Sequence, residues 1–201
     1  IVDLLTDAGI RIIMGTATTA VPNWMGKKYP EIMMTDSNDL HYTTGRREIY
    51  CTNSPDYRRE VKTAVEHLAE RYQNNQNIKL WHMANEVGIV CYCDNCAKAY
   101  RRYLRKKFGT LDNLNEQWTT AWGHTYTDWE QIDPPKTTTE FAPNMNGIDG
   151  FDCHFRSTEA IEYLRFFSES LRECYEIERD AIHKYIPDAL VTNNFQFRTL
   201  D

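Results

Sequence analysis

The chain has 201 residues, 41% hydrophobic and 26% charged, with a formal net charge of −6. That length supports one domain with its own core, and an acidic balance without a basic run excludes a nucleic-acid surface. No apolar run approaches the roughly 20 residues that a membrane-spanning helix needs.

The first residues, IVDLLTDAGI, carry no initiating Met. Ile1, Leu4, Leu5 and Ala8 have helical spacing, and Gly9 is a natural helix stop. A chain that opens inside a helix, and closes on VTNNFQFRTLD just after a strand-like run, is expected to be part of one longer domain, truncated at both ends. Localisation signals at a native N-terminus are then not readable.

IRIIMG, residues 10–15, is a β-branched run of the kind a buried parallel strand uses. Thr16, Thr18 and Thr19 place hydroxyls at its end, and Pro22 and Trp24 mark a loop. Residues 25–53 show little periodicity, and a loop of that length is usually functional. Ser54-Pro55 predicts a helix start, with Ser as N-cap and Pro at the first helical position. Val61, Ala64, Val65, Leu68 and Tyr72 then keep one apolar face.

Ile78 to Ala84 is the next predicted strand. A helix over 94–108 uses Ala97, Tyr100, Leu104 and Phe108 and stops at Gly109. A shorter helix carries Leu111, Leu114 and Trp118. A long helix, capped near Ser157, turns Ile161, Leu164, Phe167, Leu171, Cys174 and Ile182 inward, and Pro187 stops it. Leu190 to Thr192 open a last strand. The order is an α/β repeat with parallel strands. The insertions and long loops follow strand C-termini, as in a TIM barrel. A doubly wound sheet is the alternative, but no Gly-rich phosphate loop follows any strand.

Two features carry chemistry. Asn85-Glu86 ends the apolar run IKLWHMA, where a carboxylate is partly desolvated, as suits a general acid. The competing reading is a loop Glu that caps the next turn. A second Asn-Glu, Asn115-Glu116, lies inside a helical pattern and reads as plain surface. Just beyond Glu86, Cys91, Cys93 and Cys96 supply three thiols in six residues, and Cys51 is available as a fourth. Four thiolates suit a closed, tetrahedral structural zinc site. Disulfides or free thiols are the alternatives, with Cys153 and Cys174 as the remaining partners. A zinc site would pin the loop after Glu86 to the loop that carries Arg47. Cys153 and Cys174 otherwise read as small buried residues. No HExxH spacing points to a catalytic metal. Most of the five Trp and twelve Tyr are expected in the core, although such rings also cover pyranose faces in sugar clefts.

In combination these pieces resemble the catalytic barrel of the glycoside hydrolase family 42 β-galactosidases, over essentially the whole chain. LLTDAGIRIIMGTATTAVPNWM resembles that family's helix–strand–TPTxxxPxW segment, and GRREIYCTNSPDYRRE its RRHYCxxSxxYRxE segment. WHMANE followed by CYCDNC resembles the acid/base strand and zinc cysteines. YLRKKFGTLDNLNEQWTTAW resembles the family's helix pair, and VTNNFQF its VTxNFMGF strand.

The resemblance implies a partial TIM (β/α)8 barrel, about strands three to five, from a retaining glycosidase acting on terminal β-D-galactose. It implies Glu86 as acid/base, and Asn85, Arg47, Trp122 and Tyr126 as substrate-binding residues. Cys51, Cys91, Cys93 and Cys96 match the four ligands of Zn2+. The implied partner is a galactoside such as lactose or a galacto-oligosaccharide, with no nucleic acid or membrane. The family further suggests a trimer and a cytoplasmic setting. The nucleophile is expected beyond Asp201, since none of Glu130, Glu140 and Glu159 ends a strand. The chain departs from the family pattern in three places. Only four residues separate Glu86 from Cys91, Glu48 and Ile49 replace an Arg-His pair, and Ala17 replaces a Pro. A non-catalytic zinc-stabilised module, and the same fold acting on β-fucosides or α-L-arabinopyranosides, are the competing functions.

Overall fold

In the computed structural model, which describes residues 1–120, 125–136 and 158–195, three short runs pair into one parallel sheet. Strand β1 is Ile12–Gly15, β2 is Ile78–Val87 and β3 is Val191–Phe195, adjacent in that order. Met14 lies opposite Trp81, which lies opposite Val191. Parallel neighbours require long crossovers. Helix α3, Pro55–Tyr72, lies on the first, and α4 (Asp94–Phe108), α5 (Leu111–Trp118) and α6 (Thr158–His183) lie on the second. Two short helices, α1 (Val2–Asp7) and α2 (Asn23–Lys28), flank β1 in the chain. No helix among the described residues is long and apolar enough to cross a membrane.

The helix boundaries follow from local chemistry. The Ser54 hydroxyl accepts from the Tyr57 N–H at 3.3 Å at the start of α3, with Pro55 in the first turn. Thr110 does the same for α5, accepting from Asn113 N–H at 3.2 Å. Gly109 ends α4 at φ +73, a conformation that costs glycine nothing.

Two apolar clusters result. One joins Met14, Trp81 and Met83 of the sheet to Tyr57, Val61, Val65 and Ala69 of α3. The other joins Tyr100 and Leu104 of α4 and Leu114 of α5 to Tyr163, Phe166 and Phe167 of α6. Tyr163 is central to the second: its ring meets Tyr100 edge-on at 4.9 Å, and its hydroxyl donates to the Cys91 carbonyl at 2.6 Å.

Helix α1 forms where the spacing predicts it, although none of its residues is buried and Leu4 is 73% exposed; Val2 is the residue that packs against the first cluster. Three expectations change. On α6 the inward stripe runs Ala160, Tyr163, Phe167, Leu171, Cys174, Glu178, Ile182. Stepping back three or four residues from Phe167 reaches Tyr163 and Ala160, so Ile161 lies off the stripe and is 40% exposed. Strand β2 continues past Ala84 to Val87, and β3 covers Val191–Phe195 rather than starting at Leu190. Residues 25–53, read as irregular, contain α2, a 3-10 turn at Pro30–Ile32 and the antiparallel bridges Ala20 to Arg47, Met33 to Tyr50 and Thr35 to His41. The predicted cap near Ser157, and Cys153, lie outside the described residues.

One member of the α6 stripe is charged. Glu178 is 1% exposed and accepts from Thr18 Oγ1 at 2.6 Å and Thr16 Oγ1 at 2.7 Å, tying α6 to the end of β1. Burial pushes its carboxyl up, and the hydrogen bonds from the two threonines and the Ala84 backbone only partly oppose this. The folded chain therefore holds this proton to higher pH than the unfolded chain, where the ordinary value is 4.5. The associated stability is fully present below 4.5 and is lost as pH rises through the folded value. Glu178→Gln has no proton to lose, so its melting temperature should gain on the wild type as pH rises from 4.5 through the folded value. Melting curves that run parallel across that window would contradict this. In the second cluster, Leu114→Ala should cost about 2–5 kcal/mol in urea denaturation, whereas Ile161→Ala should stay within about 0.5 kcal/mol.

Candidate active site

The C-terminal edge of the sheet gathers polar side chains from all three strands. Strand β2 does not run straight here: its register with β3 shifts between His82 and Asn85 and again between Asn85 and Val87. Ala84 stands at φ +33 and Glu86 at φ +55. Such bulges re-aim a side chain at the end of a strand. Of the six non-glycine residues with positive φ among those described, Ala17, Glu48, Ala84 and Glu86 lie at this edge or in the loop facing it. Strain of this kind persists only where the surroundings enforce it, and it concentrates at functional sites.

The surroundings that enforce it are visible. The Ala84 N–H donates to Thr16 Oγ1 at 3.1 Å, from the end of β1. Asn193 Nδ2, from β3, donates to the carbonyls of Met83 and Ala84, the latter at 2.5 Å. The Glu86 N–H donates to Asn194 Oδ1 at 3.2 Å. Asn85 pairs in register with Asn194. Between Glu178, Asn193, Thr52 and Ala84 lies a cavity of about 10 Å³, the size of one water molecule.

Glu86 projects from this kink with its side chain 27% exposed and pairs with Arg47, whose side chain is 54% exposed. Arg47 also lies 3.5 Å from the Glu48 carboxylate. The Glu48 side chain is only 7% exposed; burial pushes its carboxyl up, and the Arg47 charge opposes this. Arg47 is held in register by the bridge to Ala20, and the Glu48 N–H donates to the Thr19 carbonyl at 2.7 Å. One guanidinium thus faces two carboxylates at the mouth of the sheet.

Below this pair sits the cysteine cluster. The sulfurs of Cys51, Cys91, Cys93 and Cys96 all lie within 4.8 Å of one another, with Cys51 3.5 Å from Cys96 and 3.3 Å from Cys93. Tetrahedral thiolates around zinc stand about 3.8 Å apart, from a Zn–S bond of about 2.3 Å, so the donor set fits such an ion. None of the four is in a disulfide. Hydrogen bonds from Cys51, Cys91 and Cys96 pull the Cys93 thiol far down, while Cys51 is pushed well up by Cys91, Cys93 and Cys96 and by burial. Asn53 Nδ2 reaches Cys96 Sγ at 3.4 Å, supporting the cluster from behind. Cys93 also precedes the first turn of α4. The cluster joins the Arg47 loop, through Cys51, to the loop after Glu86. The Tyr92 N–H reinforces that junction by donating to the Thr35 carbonyl at 2.8 Å.

Of the residues singled out in the sequence, Glu86 and Arg47 meet directly, Asn85 is adjacent in the kink, and the four cysteines converge. Tyr126 belongs to the second apolar cluster. Its hydroxyl donates to Glu159 at 3.1 Å, its ring meets Trp118 edge-on at 6.0 Å, and Asn115 bonds both its N–H and its carbonyl. Glu130 pairs with Arg101 and Arg105, away from the strand ends. Trp122 and Glu140 lie outside the described residues. Sequence reading missed Glu178, Asn193 and Asn194. For Glu178 a signal existed, a carboxylate in the inward phase of an apolar stripe. For the two asparagines, none distinguishes a structural clamp from a turn.

The family model for β-galactosidases of glycoside hydrolase family 42 matches residues 1–201. The curated β-galactosidase LacZ of Lactobacillus acidophilus is 41% identical over 196 residues, 97% of this chain and 29% of the relative. The crystal structure of the β-galactosidase from Bacillus circulans sp. alkalophilus matches with TM-score 0.90 and 38% identity, covering 100% of this chain and 29% of that one. That of the haloarchaeon Halorubrum lacusprofundi matches at TM-score 0.87 and 33% identity, again over 100% of this chain and 29% of the other. The chain thus spans under a third of the length of the relatives it matches. Matched by the family model from first residue to last, the chain belongs to the glycoside hydrolase family 42 β-galactosidases.

Proposed function

We propose that this chain forms about strands three to five, with their helices, of a (β/α)8 barrel in a retaining β-galactosidase that releases terminal, non-reducing β-D-galactose. The observation that carries the reading is Glu86: a carboxylate at the C-terminal edge of a parallel sheet, its backbone held by Asn194 and its side chain partly open to solvent beside Arg47. TIM-barrel enzymes carry their chemistry at that edge. Family membership supports the substrate class.

In this reading Glu86 protonates the departing glycosidic oxygen, then takes a proton from the water that releases the sugar. A second carboxylate acts as nucleophile, and it belongs to a part of the barrel beyond Asp201. In a retaining enzyme the two carboxyls stand about 5–5.5 Å apart. Arg47, Asn85, Tyr126 and Trp122 contribute to sugar binding, with Asn85 contacting the 2-hydroxyl. Cys51, Cys91, Cys93 and Cys96 hold Zn2+. A closed four-thiolate site has no open position, so such an ion contributes a tether between loops rather than Lewis-acid chemistry. Substrates are lactose or galacto-oligosaccharides, with β-fucosides and α-L-arabinopyranosides as close variants that share the axial 4-hydroxyl. A trimeric assembly is the family's suggestion.

The cysteine cluster alone fits equally well a zinc-stabilised module without catalysis, and the two readings separate experimentally. In the full-length protein, Glu86→Ala should slow hydrolysis of galactosides about 10²–10⁴-fold, the usual contribution of general acid–base catalysis. Azide should restore turnover on an activated aryl galactoside and yield β-galactosyl azide. Unchanged activity in the variant would remove Glu86 from the mechanism, and a wild type inactive on every glycoside would favour the non-catalytic module. Residues 1–201 alone should be inactive. Elemental analysis should find close to one zinc per chain, lost on joint substitution of Cys91 and Cys93 by Ser; stably folded, metal-free wild type would refute the zinc assignment.

A further inference from the structure

Glu178 has no role in the mechanism above, yet it is the most deeply buried carboxylate described here, 1% exposed. It forms no ion pair among the described residues; it accepts from the hydroxyls of Thr16 and Thr18, with the Ala84 amide also near its carboxylate. A buried carboxylate without a counter-ion is costly to keep. Joining α6 to β1 does not require it, because a neutral side chain can link two hydroxyls.

What an ionised carboxylate adds is direction. It accepts hydrogen bonds and donates none. Thr16 must then turn its proton toward Glu178 Oε2, at 2.7 Å, which leaves the oxygen lone pairs of Thr16 for the Ala84 N–H at 3.1 Å. A chain of bonds of one polarity therefore runs from the Ala84 amide through the Thr16 hydroxyl to Glu178. On the other side, Asn193 bonds the Ala84 carbonyl at 2.5 Å. Asn193 lies in β3, the strand that α6 leads into. The Ala84 peptide, at φ +33, is thus gripped from both neighbouring strands, and Glu86 follows it by two residues at φ +55.

We propose that Glu178 is a positioning residue for the acid/base step, holding the Ala84 peptide through Thr16 in the kink that aims Glu86 at the glycosidic oxygen. The role rests on the reading of Glu86 as acid/base. Glu178 itself touches no substrate. Loosening the clamp lets Glu86 drift from the leaving-group oxygen, and only leaving groups that need a proton suffer.

The test compares kcat/KM of the full-length protein on methyl β-galactoside, a poor leaving group, and 2,4-dinitrophenyl β-galactoside, which departs without protonation. Glu86→Gln sets the reference, with a much larger loss on the methyl substrate. Glu178→Gln and Thr16→Val should each lose at least about tenfold more on the methyl than on the dinitrophenyl substrate, part of the ~10²–10⁴-fold of general acid catalysis. Thr16→Ser, which keeps the hydroxyl, should restore the wild-type ratio. If Glu178→Gln does not fold, Thr16→Val carries the same expectation. Equal losses on both substrates in Glu178→Gln and Thr16→Val, or none, while Glu86→Gln shows the contrast, would overturn the role of Glu178 alone. A wild type inactive on both substrates, or no contrast in Glu86→Gln, would overturn the acid/base reading and this role with it.

Discussion

The Ala84 peptide is the joint on which the candidate site depends. Its N–H is held from the end of β1 and its carbonyl from β3, so the two peptide units that flank Ala84 are both fixed. A regular strand would alternate its side chains between the two faces of the sheet. The two register shifts on the β3 side break that alternation and let Asn85 and Glu86 be presented together at the edge. Each left-handed residue in the kink is unfavourable by about 1–3 kcal/mol in isolation. Four side chains, Thr16, Glu178, Asn193 and Asn194, share the work of holding them there.

A second constraint acts from below. Arg47 lies four residues before Cys51, and Glu86 lies five before Cys91, so the cysteine cluster fastens the loops that carry the ion pair close to their functional ends. The short spacing leaves little slack between the clamp and the charge. The aromatic cluster of α4, α5 and α6 supports the same loop from the far side, through the bond from Tyr163 to the Cys91 carbonyl. Strand kink, cysteine cluster and aromatic packing therefore meet within a few residues of Glu86.

Much of this was legible in the sequence, and each feature that was missed has a physical reason. The limits of α4 and the cap of α3 were readable because Gly109 and Ser54-Pro55 are local signals. The cysteines were readable because three of them crowd into six residues. The kink was not, because Ala84 and Glu86 take a left-handed conformation without the glycine that usually announces it. The phase of α6 slipped at its first turn because Ile161 looks more apolar than Ala160. Glu178 was missed: a charge in the phase of an apolar stripe is a signal, but its partners lie more than 150 positions away in the chain. The departure at Ala17 also gains a physical sense: it stands at φ +55, a conformation closed to proline, whose ring fixes φ near −65°.

The exposure of Arg47 bears on how a site of this kind is reloaded. A buried ion pair would be a lock, since separating desolvated charges leaves each uncompensated. Arg47 is more than half exposed, and exposed pairs are worth at most about 1 kcal/mol. At that exposure solvent can replace Glu86 as the partner of the guanidinium. The pair is therefore a latch rather than a lock: it orients the Glu86 carboxylate, and it is weak enough for a polar ligand to displace without help from the rest of the fold.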